Sequence, residues 1–265
     1  MKKIFIFLIL TIQLMAGVIK APIITLDNNS LTAKIEISKA DIGMSGFIVQ
    51  KISDNHTTIL NTITVSSFDK ENKIASLKMG EYRKLQNSAL PSGKWSAKVG
   101  DIAVLGFSYD RALLIAPSEN IYYRISKSVK VQWLHPDIFT AMLSLNGHPT
   151  PLKEDFDFMV KSTSIGLIFI YLEQKLYTLD AQSFTILNIS ETPLIQEKVI
   201  HPFYSRVKEI EADWWGEGSD KMKDYELYYY QLLTEYNSYN KKLYENIKES
   251  DKEVGFLLEK FEIKE

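Results

Sequence analysis

The sequence comprises 265 residues without a cysteine, and it carries a formal net charge of −2 at pH 7. The absence of cysteine excludes disulfides and a cysteine nucleophile, so the chain must fold on packing alone, and its length suffices for one or two hydrophobic cores. The mildly acidic charge argues against general nucleic-acid binding.

The N-terminal residues are typical of a secretory signal peptide. Lys2 and Lys3 precede an apolar run over residues 4–16 that is too short to span a bilayer comfortably and that is followed by small residues. We therefore expect residues 1–16 to be a cleaved signal peptide, with cleavage after Ala21 as the second choice. A buried strand or an uncleaved anchor is the other interpretation. Export to the periplasm or the outer surface is expected.

The segment 17–107 is predicted to be an antiparallel β barrel or sandwich. Residues 30–37 alternate apolar and polar side chains, as a half-buried strand does, and later runs are rich in β-branched residues. The candidate strands are 30–37, 46–52, 57–68, 73–79 and 101–107. Short strands at this spacing, separated by turn residues, favour a small all-β domain.

The segment 108–200 is predicted to be a mixed α/β domain. An apolar strand at 112–117 is followed by Ser118, a good helix N-cap, and then by a strand at 130–134, so the elements form a βαβ unit. The buried stripe of the helix is expected to be Ile121, Ile125 and Val129. Further strands are expected at 165–172, 175–180 and 183–189. The apolar run 165–172 is only strand-sized, so no membrane span is expected in the mature chain.

A polar cluster of His135, Asp137 and His148 lies between these strands and invites an active-site interpretation. A hydrolase using the three side chains is one hypothesis. The alternative is that they bracket a helix, because Pro136 and Asp137 suit its first turn and Gly147 its C-terminal end. The histidines would then lie about 15 Å apart, too far to share a metal ion. We expect helix bracketing and no metal.

The same interval predicts a helical hairpin between the strands. The buried stripe of its first helix is expected to be Ile138, Met142 and Leu145. The second helix is expected to be capped by Thr150, with Pro151 at its first position. Its buried residues are expected to be Leu152, Phe156 and Met159.

The segment 201–265 is predicted to be a helical arm with one long helix over about 220–249. Apolar residues recur there at alternating steps of four and three, which is a heptad seam rich in tyrosine. The seam residues are Tyr225, Tyr229, Leu232, Tyr236, Tyr239 and Leu243. The helix is expected to dock on its own domain, and a homodimeric coiled coil through the seam is the alternative.

Two adjacent tryptophans, Trp214 and Trp215, lie between acidic residues in this arm. On a loop they would bind a carbohydrate or a partner protein. At the start of a helical cap they would cover the edge of a core, and this second interpretation is favoured.

Enzyme motifs are absent from the sequence: it contains no Gly-rich phosphate loop, nucleophile elbow or HExxH motif. No catalysis and no cofactor are therefore expected. The expected fold class is α+β, with an N-terminal antiparallel β barrel or sandwich, a mixed α/β domain with a βαβ unit and a helical hairpin, and a long C-terminal helix.

The stretch from Val104 to Leu187 resembles a known family. The runs "VLGFSYDRALLIAPSENIYYRI", "WLHPDIFTAMLSLNGHPTPLKEDFDFM", "GLIFI" and "LYTLDAQSFTIL" are similar to the N-terminal domain of the plasminogen-binding protein A family of epsilon-class Gram-negative bacteria. The similarity extends back through "IGMSGFIV" and "ALPSGKWSAKVGD" and so covers most of the mature chain. The resemblance implies an exported protein that captures host plasminogen at the bacterial surface.

The resemblance also implies that lysines carry the binding. Plasminogen kringle domains bind a lysine, preferably at a C terminus, and grip its ammonium and a carboxylate together; the family's named members end in a lysine-rich tail. This sequence departs from that pattern, because it ends in Lys264 and Glu265 without an extended lysine-rich tail. Lys264, or the internal pair Lys241 and Lys242, would then have to bind the kringle domains.

The leading interpretation is an exported, non-catalytic envelope or surface binding protein, with host plasminogen or an envelope protein as its partner. The alternative is a periplasmic structural or assembly protein that recruits a partner through the C-terminal helix.

Overall fold

A computed structural model describes residues 17–54, 56–82, 95–196 and 198–263 of the chain. The predicted signal peptide and Lys264 lie outside these residues. Within the described ranges, no helix is both long enough and apolar enough to cross a membrane.

The N-terminal residues form a closed antiparallel barrel, which confirms the expected antiparallel β barrel. Its strands are β1 (Ile19–Asp27), β2 (Thr32–Glu36), β3 (Ser45–Ser53), β4 (His56–Asp69), β5 (Ile74–Glu81) and β6 (Ile102–Leu105). They pair in the order β1–β2–β5–β4–β3–β6, and β6 closes the barrel on β1. Ile23, Ile35 and Leu77 are among the buried residues of its core. Side chains alternate across each strand, so one face of every strand supplies this core.

The next residues form a mixed sheet in the order β11–β10–β9–β7–β8. Its strands are β7 (Arg111–Ile115), β8 (Gln132–Leu134), β9 (Leu167–Leu172), β10 (Lys175–Asp180) and β11 (Ile186–Glu191). Strand β7 runs parallel to both β8 and β9, whereas β9, β10 and β11 pair in antiparallel fashion. The sheet therefore combines two parallel crossovers, β7 to β8 and β8 to β9, with a hairpin meander.

The predicted βαβ unit is confirmed by helix α1 (Glu119–Ser128), which connects β7 to the parallel strand β8. The Ser118 hydroxyl caps this helix by accepting a hydrogen bond from the Ile121 amide at 3.4 Å. Ile121, Ile125 and Val129 are buried, as the helical spacing predicts.

The mixed sheet lies between two layers. Successive residues of β7 point to opposite faces, so Ala112 and Leu114 join the core that includes the barrel and α1, whereas Leu113 and Ile115 join the core that includes the later helices. All four side chains are fully buried. Strand β7 is a continuous apolar run because both of its faces are covered.

The predicted helical hairpin is present as α2 (Pro136–Asn146) and α3 (Lys153–Thr163). The expected buried stripe of α2 is wrong: Ile138 and Leu145 are 42% and 82% exposed, and Met142 is only partly buried. Phe139 and Leu143 are fully buried instead. Both sets have helical spacing, so packing on the sheet decided which face of α2 is covered, and periodicity could not.

The predicted cap of α3 is also wrong. Leu152, and not Thr150, is the N-cap residue, and the Asp155 carboxylate accepts a hydrogen bond from the Leu152 amide at 2.7 Å. Thr150 instead donates hydrogen bonds to the backbone carbonyls of Gly218 and Asp220. Phe156 and Met159 are fully buried, as expected, whereas Leu152 is only partly buried and Pro151 lies before the N-cap instead of at the first helical position.

The predicted long C-terminal helix is wrong. The structure has instead α4 (Tyr225–Tyr236), α5 (Lys241–Glu249) and a 3-10 helix (Gly255–Lys260). The chain turns after α4 at Asn237, whose buried side chain accepts a hydrogen bond from the Ile186 amide at 2.8 Å and donates one to the Phe184 carbonyl at 3.2 Å. These tertiary hydrogen bonds compete with continuation of the helix. A heptad pattern contains no information about them, so it could not predict the break.

Candidate functional site

The tyrosine-rich seam lies largely inside the chain's own core. Its buried members are Tyr225, Tyr229, Leu232 and Leu243. The hydroxyls of Tyr225 and Tyr229 donate to backbone carbonyls at 3.1 and 3.0 Å, and burial raises the pKa of both phenols. Tyr236 and Tyr239 are exposed, at 41% and 72%. The arm therefore docks on its own domain. A homodimer through the seam stays a prediction, and it would have to use these two exposed rings.

The lysines singled out by the sequence have different surroundings. Lys241 is exposed at the first position of α5 and forms no hydrogen bond or ion pair with any described residue. The Lys242 ammonium donates to the Ile189 carbonyl at 2.7 Å, which holds this charge against β11. Glu245, also exposed, lies four residues after Lys241 on the same side of α5. Lys264 lies outside the described residues.

The two tryptophans lie on an exposed segment, here called the tryptophan loop (residues 211–220). Trp214 is 97% and Trp215 is 84% exposed. The expectation that they cover the edge of a core is therefore wrong. The segment is not helical and is held by hydrogen bonds with residues 147 and 150, and α4 begins only at Tyr225, so no cap brings the indoles onto a core.

The tryptophan loop is anchored to the corner between α2 and α3 on both sides of the indoles. On one side, the Asp213 amide donates to the Gly147 carbonyl at 2.9 Å. On the other side, Thr150 donates its amide to the Gly218 carbonyl at 3.1 Å and its hydroxyl to the Asp220 carbonyl at 2.6 Å. Gly147 has a φ of +69°, and a Cβ there would lie 2.3 Å from the carboxyl carbon of Asp213, so this approach requires glycine.

The polar cluster of the helical hairpin divides into two networks. The His135 ring accepts from the Asp137 amide at 3.2 Å, and the Asp137 carboxylate pairs with Arg206 at 2.7 Å. His148 Nδ1 lies 2.9 Å from the buried carboxylate of Asp155. Helix α2 separates Asp137 from His148 by about 16 Å at 1.5 Å per residue, so the structure does not bring together the three side chains of the hydrolase hypothesis.

The two histidines bracket α2, as expected. The His135 side chain is its N-cap, and the helix ends at Gly147 just before His148. Among the described residues, no group of three or more histidine, aspartate or glutamate side chains is arranged to hold a metal ion.

Asp137 belongs to a structural ion pair. Burial acts to raise its pKa, but hydrogen bonds from the backbone and guanidinium of Arg206 and from the Ser205 hydroxyl outweigh burial and hold the pKa of Asp137 below its ordinary value. The carboxylate thus fastens residues 205–206 to the start of α2.

Sequence reasoning missed the residues that position the tryptophan loop. The local sequence around Gly147 and Thr150 indicates only helix ends and caps, yet both residues also hold the loop. The one available signal is the pair Gly216 and Gly218, which adopt φ values of +124° and +85° and so mark a turn that other residues disfavour. The partner of that turn lies too far along the chain for a local pattern to identify.

A family model described as "Plasminogen-binding protein pgbA N-terminal" matches residues 18–233. The chain is 28% identical over 196 residues to a protein named plasminogen-binding protein PgbA from Helicobacter pylori strain J99, and 27% identical to the protein of the same name from strain 26695. Each match covers 72% of this chain and 42% of the relative, so the chain spans less than half the length of these relatives. No solved structure matches the chain significantly.

The family match begins at the first barrel strand and ends within α4. It includes the barrel, the mixed sheet, the helical hairpin and the tryptophan loop, and it ends before Lys241 and Lys242. Because the match covers well over half of the sequence, the chain belongs to the family described as plasminogen-binding protein pgbA N-terminal.

Proposed function

We propose that this protein is an exported, non-catalytic binding protein of the cell envelope or surface and that plasminogen is its partner. The observation that carries the proposal is the family match over residues 18–233, supported by the names of two relatives. The chain spans less than half the length of these relatives, so we propose the binding residues from this chain's own exposed side chains.

Lys241 and Glu245 supply the chemistry that a lysine-binding kringle domain recognises. One is a cation and the other a carboxylate, and both are exposed on α5. Residues four apart on a helix have Cβ atoms about 5–6 Å from each other, so the two charges lie within reach of one small site. Lys241 has no partner among the described residues, so no existing ion pair has to break when a kringle binds its ammonium.

Lys242 is a poorer candidate than its neighbour. Its ammonium would have to give up the 2.7 Å hydrogen bond to the Ile189 carbonyl before it could enter a kringle. We therefore assign Lys241 as the principal internal lysine. Lys264, next to Glu265, is the second candidate.

The first test is binding of the purified chain without residues 1–16 to immobilised plasminogen, measured by surface plasmon resonance. A parallel measurement contains the lysine analogue 6-aminohexanoate as competitor. The proposal expects binding that the analogue abolishes. Absence of binding, or binding that is indifferent to the analogue, would overturn it.

Single variants then locate the lysine. Lys241→Ala is expected to weaken binding about tenfold, as loss of a dominant contact does. Lys264→Ala tests the second candidate lysine in the same way. Lys34→Ala, which removes an exposed lysine from β2 of the barrel, is the matched control and should bind like the unmodified chain. Unchanged binding of both Lys241→Ala and Lys264→Ala would show that the assignment to these lysines is wrong.

Export is tested separately in a Gram-negative host. The full chain is expected to be shortened by removal of about the first 16 residues, whereas a chain lacking residues 1–16 should stay in the cytoplasm. Added protease should digest the exported protein on intact cells if it lies on the surface. Protection from that protease would place it in the periplasm and would favour an assembly role there.

A further inference from the structure

The tryptophan loop presents two large apolar side chains to solvent from an anchored backbone. Trp214 and Trp215 are 97% and 84% exposed, although the residues on either side of them are hydrogen bonded to the α2–α3 corner. A single exposed apolar residue is common on protein surfaces, but two adjacent tryptophans form an apolar patch. Tryptophan is enriched among the residues that contribute most of the energy at binding surfaces. The anchors reduce the conformational entropy that a ligand would otherwise have to remove.

The charged residues of the tryptophan loop are all acidic. Residues 211–220 contain four carboxylates and no lysine or arginine, and Lys221, which follows the loop, pairs with Glu209 at 3.0 Å. Glu211 and Glu217 are exposed, and neither side chain forms a hydrogen bond or ion pair with a described residue. The negative charge of Glu217 contributes to raising the pKa of Tyr228 and Tyr236, after the larger effect of their burial, so this carboxylate acts on neighbouring aromatic groups.

We propose that the tryptophan loop binds lysine or arginine side chains of a basic peptide segment in a partner protein. The faces of the indoles attract cations, and tryptophan is the strongest aromatic partner for such contacts. The unpaired carboxylates of Glu211 and Glu217 only accept hydrogen bonds, and lysine and arginine only donate them. Aromatic faces and unpaired acceptors in one loop are therefore complementary to a basic segment in both charge and hydrogen bonding.

Two other occupants of the patch fit less well. A carbohydrate would stack on the indoles, but its hydroxyls both donate and accept hydrogen bonds, and the charged side chains of this loop offer acceptors alone. A lipid surface would accept the indoles, but the carboxylates would be repelled by anionic headgroups. Both occupants become outcomes of the test.

This inference does not depend on the proposed plasminogen binding. In the proposed plasminogen binding, a lysine on α5 of this chain enters a site on the partner. In the present proposal, the tryptophan loop of this chain binds lysines or arginines of a partner. The two surfaces involve different residues, and the probe used here contains no plasminogen.

The test uses the chain without residues 1–16. An end-capped oligolysine peptide is titrated into this protein, and binding is measured by isothermal titration calorimetry and by tryptophan fluorescence. An end-capped oligoglutamate peptide, a neutral chitin oligosaccharide and phosphatidylglycerol vesicles are titrated in parallel. The oligolysine peptide is expected to bind and to change the indole emission, with an affinity that falls as salt is added. No binding of oligolysine, or preferential binding of the oligosaccharide or the vesicles, would overturn the proposal.

Variants connect the binding to the loop. Replacing both Trp214 and Trp215 with alanine is expected to weaken oligolysine binding about tenfold or more. Trp95→Ala, which removes another exposed tryptophan outside the loop, is the matched control and should leave the affinity unchanged. Glu211→Gln with Glu217→Gln is expected to weaken binding and to flatten its salt dependence. Because none of these side chains forms a hydrogen bond or ion pair with a described residue, the variants should fold normally. Oligolysine affinity that survives both double substitutions would contradict the assignment.

Discussion

The Ser45 hydroxyl donates a 2.7 Å hydrogen bond to the carboxylate of Asp180, which lies 135 residues further along the chain. The same carboxylate oxygen accepts from the Ser45 amide at 2.8 Å and from the Tyr109 hydroxyl at 2.7 Å. The other oxygen accepts from the amides of Gln182 and Ser183. Burial, reinforced by the negative charge of Asp180, raises the pKa of Tyr109, so that phenol remains a donor. One buried carboxylate thus fastens the barrel to the mixed sheet.

Asp180→Ala is expected to destabilise the protein by about 3–5 kcal/mol, because it leaves several buried donors without an acceptor. Urea unfolding provides the measurement. Asp27→Ala is the matched control: Asp27 accepts from the amides two and three residues later, as Asp180 does, but it is exposed. Its loss should have a much smaller effect. Equal effects of the two substitutions would show that the contact between barrel and sheet contributes little.

Gly147→Ala is expected to displace the tryptophan loop and to cost about 2 kcal/mol or more, because the new Cβ would lie 2.3 Å from the Asp213 carboxyl carbon at a φ of +69°. Gly100 has a φ of +95° but nothing within 4 Å of a Cβ, so Gly100→Ala should carry only the conformational cost, about 1 kcal/mol. Urea unfolding compares the two variants, and a shift in tryptophan emission reports the loop. Similar losses of stability in the two variants, without a change in tryptophan emission, would argue against a close approach of position 147 to Asp213.

Asn237→Ala is expected to lower the free energy of unfolding by about 2–3 kcal/mol, because the Ile186 amide and the Phe184 carbonyl lose a buried partner. Asn240→Ala, the control, removes only the N-cap of α5 and should cost about 1 kcal/mol. Thermal or urea unfolding measures both. If Asn237→Ala proved neutral, the break between α4 and α5 would not depend on these hydrogen bonds.

Asp137→Asn is expected to reduce stability at pH 7 by about 1 kcal/mol, because the ionised carboxylate accepts from Arg206 and Ser205. The pKa of Asp137 in the folded state lies below its ordinary value of 3.8, so its contribution is present above that pH and is lost as the pH falls through the folded-state pKa. Urea unfolding at a series of pH values should show the difference from the unmodified chain closing below about pH 4. A difference that is constant with pH would rule out an ionic contribution. Asp54→Asn, at an exposed aspartate, is the control and should show no measurable change.

Several elements could be predicted because their signals are local. Alternating side chains at 30–37 predicted β2 of the barrel, and Ser118 with its helical stripe predicted α1 between two parallel strands. A cap, a turn or an alternation acts within a few residues, so it can be recognised without knowledge of the fold. The orientation of α2 could not be predicted, because its two apolar stripes are equally periodic and only the sheet selects between them.

The candidate sites follow the same division. Residue type and position alone identified Lys241, Lys242, Trp214 and Trp215, and the resemblance to the family came from the sequence. Whether each side chain is available depended on contacts from remote segments: the Ile189 carbonyl engages Lys242, and no cap covers the tryptophans.

The sequence by itself determined the order and type of most elements, the β-strand character of the described residues between 17 and 107 and the lack of disulfides, since each follows from local patterning or composition. Only the tertiary structure decided that the heptad seam breaks at Asn237, which face of α2 is buried, and that the tryptophan loop stands clear of the core. The physical reason is that hydrogen bonds and packing between residues tens of positions apart outweigh local preferences of about 1 kcal/mol or less.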